Sequence, residues 1–78
     1  MPTVLRRGPY RFFFYAGDRL EPPHVHVARN DCEAKFWLDP VMLGRSWGFP
    51  RKEVNRIRTL VEEFEDQLLE GWNAYFFG

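Results

Sequence analysis

The chain has few of the residues that mark common catalytic, redox and membrane motifs. Its one cysteine, Cys32, cannot form an internal disulfide, and nothing around it resembles a Cys–His nucleophile. No glycine-rich phosphate loop and no Ser–His–Asp set is present. No apolar run approaches the about 18 residues that a membrane-spanning helix needs, and no segment resembles a signal peptide. We therefore expect a cytoplasmic protein without membrane association and without a cofactor.

Net charge is also lacking, because eleven Lys and Arg balance eleven Asp and Glu. The two signs are nevertheless separated along the chain. Every basic residue lies at or before Arg58, and five of the acidic residues follow it. Such a separation permits a basic surface for an anionic partner or, more commonly, a self-complementary surface.

Aromatic residues are abundant for so short a chain. Of 78 residues, 45% are apolar and 18% are aromatic, which argues against disorder and for a packed core. The length and the lack of a linker predict a single domain over residues 1–78. A domain this small has thin stability, so a partner or a second copy would stabilise it.

Four segments have the composition of β-strands. Thr3–Arg7 predicts a short edge strand, and the aromatic run Tyr10–Tyr15 predicts a strand inside the sheet. After Pro22 and Pro23, the run His24–Val27 alternates with the period of two of a half-buried strand. Asn30–Asp31 suits a two-residue hairpin turn into the fourth strand.

That turn predicts the register of the hairpin. Pairing apolar residues with each other places the valines on one face and the histidines on the other, pointing away from the helical layer. The expected pairs are Arg29/Cys32, Val27/Ala34, Val25/Phe36, His26/Lys35 and His24/Trp37, with Glu33 diagonal to His26.

Two helices are expected in the second half of the chain. Asp39 and Pro40 resemble a helix start, which predicts one or two turns ending at Gly44. From Pro50 to Phe76, apolar residues recur at steps of three and four, which predicts a long amphipathic helix. A continuous helix of that length would span about 40 Å, roughly twice a typical strand. We therefore expect either a bend near residues 65–66 or an apolar overhang covered by another chain.

Together these elements predict an α+β fold. A small antiparallel sheet of three to four strands would be packed on one face by the long C-terminal helix, with a short helical turn after Asp39. The other face would expose His24 and His26 to solvent, and an ordinary polar sheet surface is the simplest interpretation of the pair.

An acid–base role is a second interpretation of the two histidines. One neutral and one protonated imidazole can coexist near pH 7, so His24 and His26 could serve as base and acid in a metal-independent ribonuclease. The supporting residues expected for this chemistry are Lys35 and Arg11 to stabilise charge on the phosphate, and Trp37 and Tyr15 to stack a base, beside Glu33.

A metal site is a third interpretation. Two histidines at alternate strand positions can chelate one divalent ion, but no third ligand stands at a fixed spacing from His24 and His26. The acids that could supply it are Glu33, Glu21, Asp18 and Asp39.

Three segments together resemble a known family. PTVLRRGPYRFFFYAGDRLEPPHVHV, EAKFWLDPV and the ending EGWNAYF are similar to small prokaryotic proteins grouped as domain of unknown function 4160. The resemblance covers nearly the whole chain and departs from the family pattern at residues 44–47. It implies no established activity and no agreed catalytic residues.

The resemblance does imply a setting and a partner. Members look like halves of two-gene modules, sometimes labelled toxin–antitoxin components, and are often encoded beside another small protein of unknown function, family 2442. The favoured expectation is therefore a protein that binds a cognate small protein, or a second copy of itself, through the C-terminal helix. RNA is the partner expected if the chain is instead a ribonuclease.

Overall fold

Along the sequence, the strands of the sheet come first and the two helices come last. The structure is a computed structural model that describes residues 3–78. Its elements are β1 (Thr3–Arg7), β2 (Tyr10–Phe13), a 3₁₀ segment (Ala16–Leu20), β3 (His24–Arg29), β4 (Cys32–Trp37), β5 (Met42–Trp47), α1 (Arg51–Glu63) and α2 (Glu65–Phe77). Each strand pairs antiparallel with the next one in sequence. The α+β class is confirmed, as are the edge position of β1 and the internal position of β2.

The hairpin of β3 and β4 has the predicted register. All five expected pairs are present, from Arg29 opposite Cys32 to His24 opposite Trp37. Asn30 in the turn takes a left-handed φ of 53°, a conformation that asparagine tolerates better than most residues. One face of β3 therefore carries the two buried valines, and the opposite face carries the two histidines.

The sheet has five strands, so the prediction of three to four strands is wrong. The short helix predicted after Asp39 is absent; residues 38–41 form a turn, and Met42–Trp47 pairs with β4. A helix of one or two turns forms too few hydrogen bonds to offset the free-energy cost of nucleating it. Pairing with β4 instead gives hydrogen-bond partners to the backbone N–H and C=O groups along the strand. The register shifts between Lys35 and Phe36, and such a bulge interrupts the period of two by which a strand is recognised.

The predicted long helix is divided into two helices at Phe64. This residue has φ −106° and ψ 19°, outside the helical range, and α2 begins immediately after it. An interruption near residues 65–66 was one of the two expected outcomes and is confirmed. Because α1 contacts β4 and β5 while α2 contacts β1, the break lets the helical layer extend across the sheet.

The core lies between this helical layer and one face of the sheet. Inward-facing strand residues pack against one apolar stripe from each helix. The most deeply buried members are Phe12, Phe14, Val25, Val27, Phe36, Ile57, Val61 and Leu68.

A polar contact ties the start of α1 to the sheet. Arg29 donates two hydrogen bonds to the Glu53 carboxylate, at 2.7 and 2.8 Å, and Tyr10 Oη donates a third at 2.8 Å. These hydrogen bonds hold the pKa of Glu53 below its ordinary value, and the contribution of Arg29 is the largest. Glu53 therefore contributes stability above the pKa of an unfolded glutamate, about 4.3, and that contribution is lost as pH falls through the lowered pKa.

We predict that Glu53→Gln destabilises the protein at pH 7 and weakens the dependence of stability on pH in the acid range. The amide keeps the size of the side chain but removes the charge that Arg29 pairs with. Urea unfolding at a series of pH values from 7 to 3 measures both effects. Glu62→Gln, at an exposed position of the same helix, is the matched control. An acid-range slope equal to that of the wild type would contradict the prediction.

Candidate functional site

His24 and His26 lie side by side on the face of the sheet opposite the valines. Their ring centroids are 5.2 Å apart, so the prediction that the two imidazoles share one face of the sheet is confirmed. The expected exposure to solvent is wrong, because His24 is 0% and His26 is 7% exposed. The site is therefore a buried polar cluster below the protein surface.

Aromatic side chains enclose His24. Its ring lies 5.3 Å from that of Trp37, the neighbour across the hairpin, and 5.2 Å from that of Trp72. Trp72 belongs to α2, so the expectation that both rings point away from the helical layer is wrong for His24. The end of α2 reaches this side chain because Trp72 also packs edge-on against Phe14, where β2 ends.

His26 is covered by the end of β2 and by the residues that follow it. Its ring stacks on Phe13 at 5.6 Å, and Tyr15 packs edge-on at 4.5 Å. Burial lowers the pKa of His26, although the nearby Asp18 carboxylate acts in the opposite direction.

Asp18 joins the two histidines. It lies in the 3₁₀ segment, where its Oδ2 accepts a hydrogen bond from the Tyr15 backbone N–H at 2.8 Å. Asp18 Oδ1 is 3.1 Å from His24 Nε2, and Oδ2 is 2.9 Å from His26 Nε2. One ligand atom from each of the three residues lies within 4.8 Å of the others. We call Asp18, His24 and His26 the Asp–His–His cluster.

The other ring nitrogens have acceptors beside them. His24 Nδ1 donates to the carbonyl of Pro22 at 2.8 Å, which leaves the lone pair of a neutral imidazole on Nε2. His26 Nδ1 is 3.5 Å from Glu33 Oε2 and makes no hydrogen bond. His24 Nε2 likewise makes none. Two buried nitrogens of one cluster are thus left without a hydrogen-bond partner, which is costly and calls for an explanation.

The remaining residues expected at the site lie around the cluster. Lys35 Nζ donates to Glu21 Oε1 at 2.8 Å and lies 4.4 Å from the ring centre of Trp37. This bond from Lys35 lowers the pKa of Glu21. Arg11 lies over the ring of Phe13 at 4.3 Å, so neither cation contacts an imidazole nitrogen by a hydrogen bond.

Of the four acids named as a third ligand, the structure brings Asp18 into contact with both histidines. Glu33 lies beside His26 and accepts a hydrogen bond from Tyr15 Oη at 3.2 Å. Asp39 is in the turn before β5, outside the cluster. The contribution of Trp72 was not expected from the sequence, because its helical spacing resembles that of an ordinary core residue.

Fold and site together define a small α+β protein with a buried Asp–His–His cluster. The chain belongs to the family described as domain of unknown function 4160 (DUF4160), whose sequence profile matches residues 10–73. That match includes the whole cluster and confirms the resemblance. No curated protein and no solved structure matches the chain. In the part of the chain that the structure describes, neither helix is long and apolar enough to cross a membrane.

We predict that Asp18→Ala loosens the 3₁₀ segment and costs about 1–3 kcal/mol of stability, the usual cost of leaving buried polar groups unpaired. The substitution removes the acceptor of both the Tyr15 N–H and His26. Urea unfolding with a chelator present measures the loss, and amide hydrogen exchange of residues 15–20 locates it. Asp31→Ala, at the exposed hairpin turn, is the control. Unchanged exchange in residues 15–20 would contradict the prediction.

Proposed function

We propose that this protein binds one divalent transition-metal ion, with zinc as the reference ion, through Asp18, His24 and His26. The observation that supports the proposal is the pair of unpartnered nitrogens in the buried cluster. His24 Nε2 lies 3.1 Å from Asp18 Oδ1 without a hydrogen bond, and a positive charge between the two atoms, a proton on Nε2 or a metal ion, makes that contact favourable. A divalent ion between Asp18 and His24 would give the carboxylate and His24 Nε2 a common partner.

The spacing of the ligand atoms fits a small ion. In a tetrahedral zinc site with bonds of about 2.0–2.1 Å, neighbouring ligand atoms are roughly 3.3 Å apart. The observed separations between Asp18 and the two Nε2 atoms are 3.1 and 2.9 Å. Asp18 offers a different oxygen to each histidine, and single ligand atoms of the three residues lie within 4.8 Å of one another, so the ligands need to close in by at most about 1.5 Å around the ion.

The hydrogen-bond partners of the imidazoles also fit metal binding. Metal-binding histidines usually donate their other N–H to a carbonyl or a carboxylate, which orients the ring. The Pro22 carbonyl already has this role for His24. If His26 binds the ion through Nε2, its proton moves to Nδ1, which faces the Glu33 carboxylate. Both unpartnered nitrogens would thus gain partners in one step.

Metal binding would also help so small a domain. Asp18 comes from the 3₁₀ segment and the histidines come from β3, so an ion would link a loop to the centre of the sheet. Small domains commonly use such links to supplement a limited hydrophobic core.

The ribonuclease hypothesis receives less support from this geometry. A general acid or base must come within hydrogen-bond reach of the group whose proton it transfers. His24 and His26 are buried, and Lys35 is paired with Glu21, so a phosphodiester would have to displace the 3₁₀ segment to reach them.

Binding of a small cognate protein is a second proposal, in a prokaryotic cytoplasmic module of the toxin–antitoxin type. It is supported by exposed apolar side chains near the end of α2, with Leu20 92% and Phe77 64% exposed. Arg19 lies 5.8 Å from the ring centre of Phe77, which brings the 3₁₀ segment and the end of α2 together. Exposed apolar side chains on adjoining segments are typical of interaction surfaces.

We predict that the untagged wild-type protein binds one Zn²⁺ per chain. At a free concentration of about 100 times the Kd, binding contributes about 2.7 kcal/mol, which raises the Tm by roughly 10 °C or more in a domain of this size. Elemental analysis after dialysis gives the stoichiometry, and thermal unfolding gives the shift.

The isosteric variant Asp18→Asn is expected to bind zinc at least about tenfold more weakly, since even outer-shell partners of a metal contribute that much. Asp31→Asn removes the same charge from an exposed turn and is expected to bind like the wild type. Zinc binding that is absent from the wild type, or equal in Asp18→Asn, would contradict the proposal.

For the second proposal, we predict that the chain forms a stable complex with the neighbouring family 2442 protein when the two are mixed. The double variant Leu20→Ser/Phe77→Ser is expected to weaken the complex at least about tenfold, because buried apolar anchors dominate interface energy. Size-exclusion chromatography and calorimetry measure it. Met42→Ser, at an exposed position of β5, is the control. A complex unaffected by the double variant would contradict the assignment of this surface.

A further inference from the structure

Glu21 lies at the outer side of the Asp–His–His cluster. Its Oε1 is 3.7 Å from His24 Nε2 and 2.8 Å from Lys35 Nζ. The Glu21 side chain is 48% exposed, whereas that of Asp18 is 12% exposed. One carboxylate oxygen of Glu21 thus lies between the largely buried Lys35 ammonium and the buried His24 nitrogen that has no hydrogen-bond partner.

We propose that Glu21 is an exchangeable fourth ligand, paired with Lys35 in the metal-free protein and bound to the ion in the loaded protein. The inference rests on the proposed metal binding by Asp18, His24 and His26. Its consequence is a closed site with two imidazole nitrogens and two carboxylate oxygens.

Coordination chemistry favours the fourth ligand. Three protein ligands leave one position of a tetrahedral ion open to water, as in catalytic zinc sites, whereas structural sites have four protein ligands. The distance of 3.7 Å from Glu21 Oε1 to His24 Nε2 is close to the roughly 3.3 Å between neighbouring ligands of such an ion.

The backbone at Glu21 is held in place, so the exchange needs only a side-chain rotation. The Glu21 N–H donates to the Asp18 carbonyl at 3.0 Å, which ends the 3₁₀ segment. The next residue, Pro22, has a fixed φ and accepts the hydrogen bond from His24 Nδ1. Glu21 is therefore tied to two of the ligands through its own backbone and its neighbour.

Lys35 has a second partner when Glu21 leaves. Its ammonium lies 4.4 Å from the ring centre of Trp37, within the range of a cation–π interaction. The Glu21 side chain is 48% exposed and that of Lys35 is 11% exposed, so solvent screens the carboxylate end of this ion pair and weakens it. The freed ammonium also remains beside the carboxylates that surround the ion.

Cobalt provides the test, because four-coordinate Co²⁺ absorbs visible light more strongly than five- or six-coordinate Co²⁺. With all four ligands present, the wild-type Co²⁺ spectrum is expected to show the intense four-coordinate bands and to be unchanged by azide. Glu21→Ala opens a position at the surface. Azide is then expected to shift its spectrum, and its Zn²⁺ affinity is expected to fall about tenfold or more.

Three further variants separate the effect of metal ligation from the effect of charge. Asp31→Ala removes an acidic residue from the hairpin turn and is expected to keep the wild-type spectrum and affinity. Lys35→Met removes the competing partner of Glu21 and is expected to tighten Zn²⁺ binding severalfold. Arg45→Met removes a charge directly opposite Lys35 on β5 and is expected to leave the affinity unchanged.

The outcomes distinguish the proposed metal binding from the proposed role of Glu21 as fourth ligand. If the wild type binds neither Co²⁺ nor Zn²⁺, the proposed function fails and the role of Glu21 fails with it. If the wild type binds Co²⁺ but azide shifts its spectrum as it does in Glu21→Ala, the three-ligand site stands and the fourth ligand is overturned. Equal Zn²⁺ affinities of Glu21→Ala and the wild type would also overturn it.

Discussion

The pairing of β3 with β4 determines which side chains meet on each face of the sheet. Because side chains alternate along a strand, a slip of one residue would exchange the valines for the histidines against the helical layer. Val25 pairs with Phe36 and Val27 with Ala34, so apolar residues coincide on the core face. The position of the imidazoles on the opposite face is a direct consequence of that apolar match.

The 3₁₀ segment lies over the part of the second face that carries the two histidines. The segment is only five residues long, and its Asp18 contacts both histidines. Buried polar groups stabilise a fold only where they are paired, and an incompletely paired network is worse than an apolar one. The cluster leaves two nitrogens unpaired in an otherwise well-packed domain. Such an exception is typical of sites retained for binding rather than for stability.

The local parts of this structure could be predicted from sequence, and the non-local parts could not. The alternation of apolar and polar residues, with a turn at Asn30 that tolerates a left-handed backbone, was enough to predict the β3–β4 register. The spacing of apolar residues by three and four was enough to predict the apolar stripe on α1 and α2. β5 was missed because its pairing is bulged and because Asp39 and Pro40 resemble a helix start. The burial of His24 depends on Asp18 and Trp72, which are six residues before it and 48 residues after it. No spacing rule connects them.

The break at Phe64 links the helical layer to the cluster. A helix that continued straight from Pro50 would leave the sheet, whereas α2 instead contacts β1 and turns Trp72 towards His24. The same indole packs against Phe14 at the end of β2, just before the 3₁₀ segment begins. Trp72 therefore links the core, to which it belongs, to the imidazole of His24. The helix that begins after this break thus contributes, through Trp72, to excluding water from the imidazole of His24.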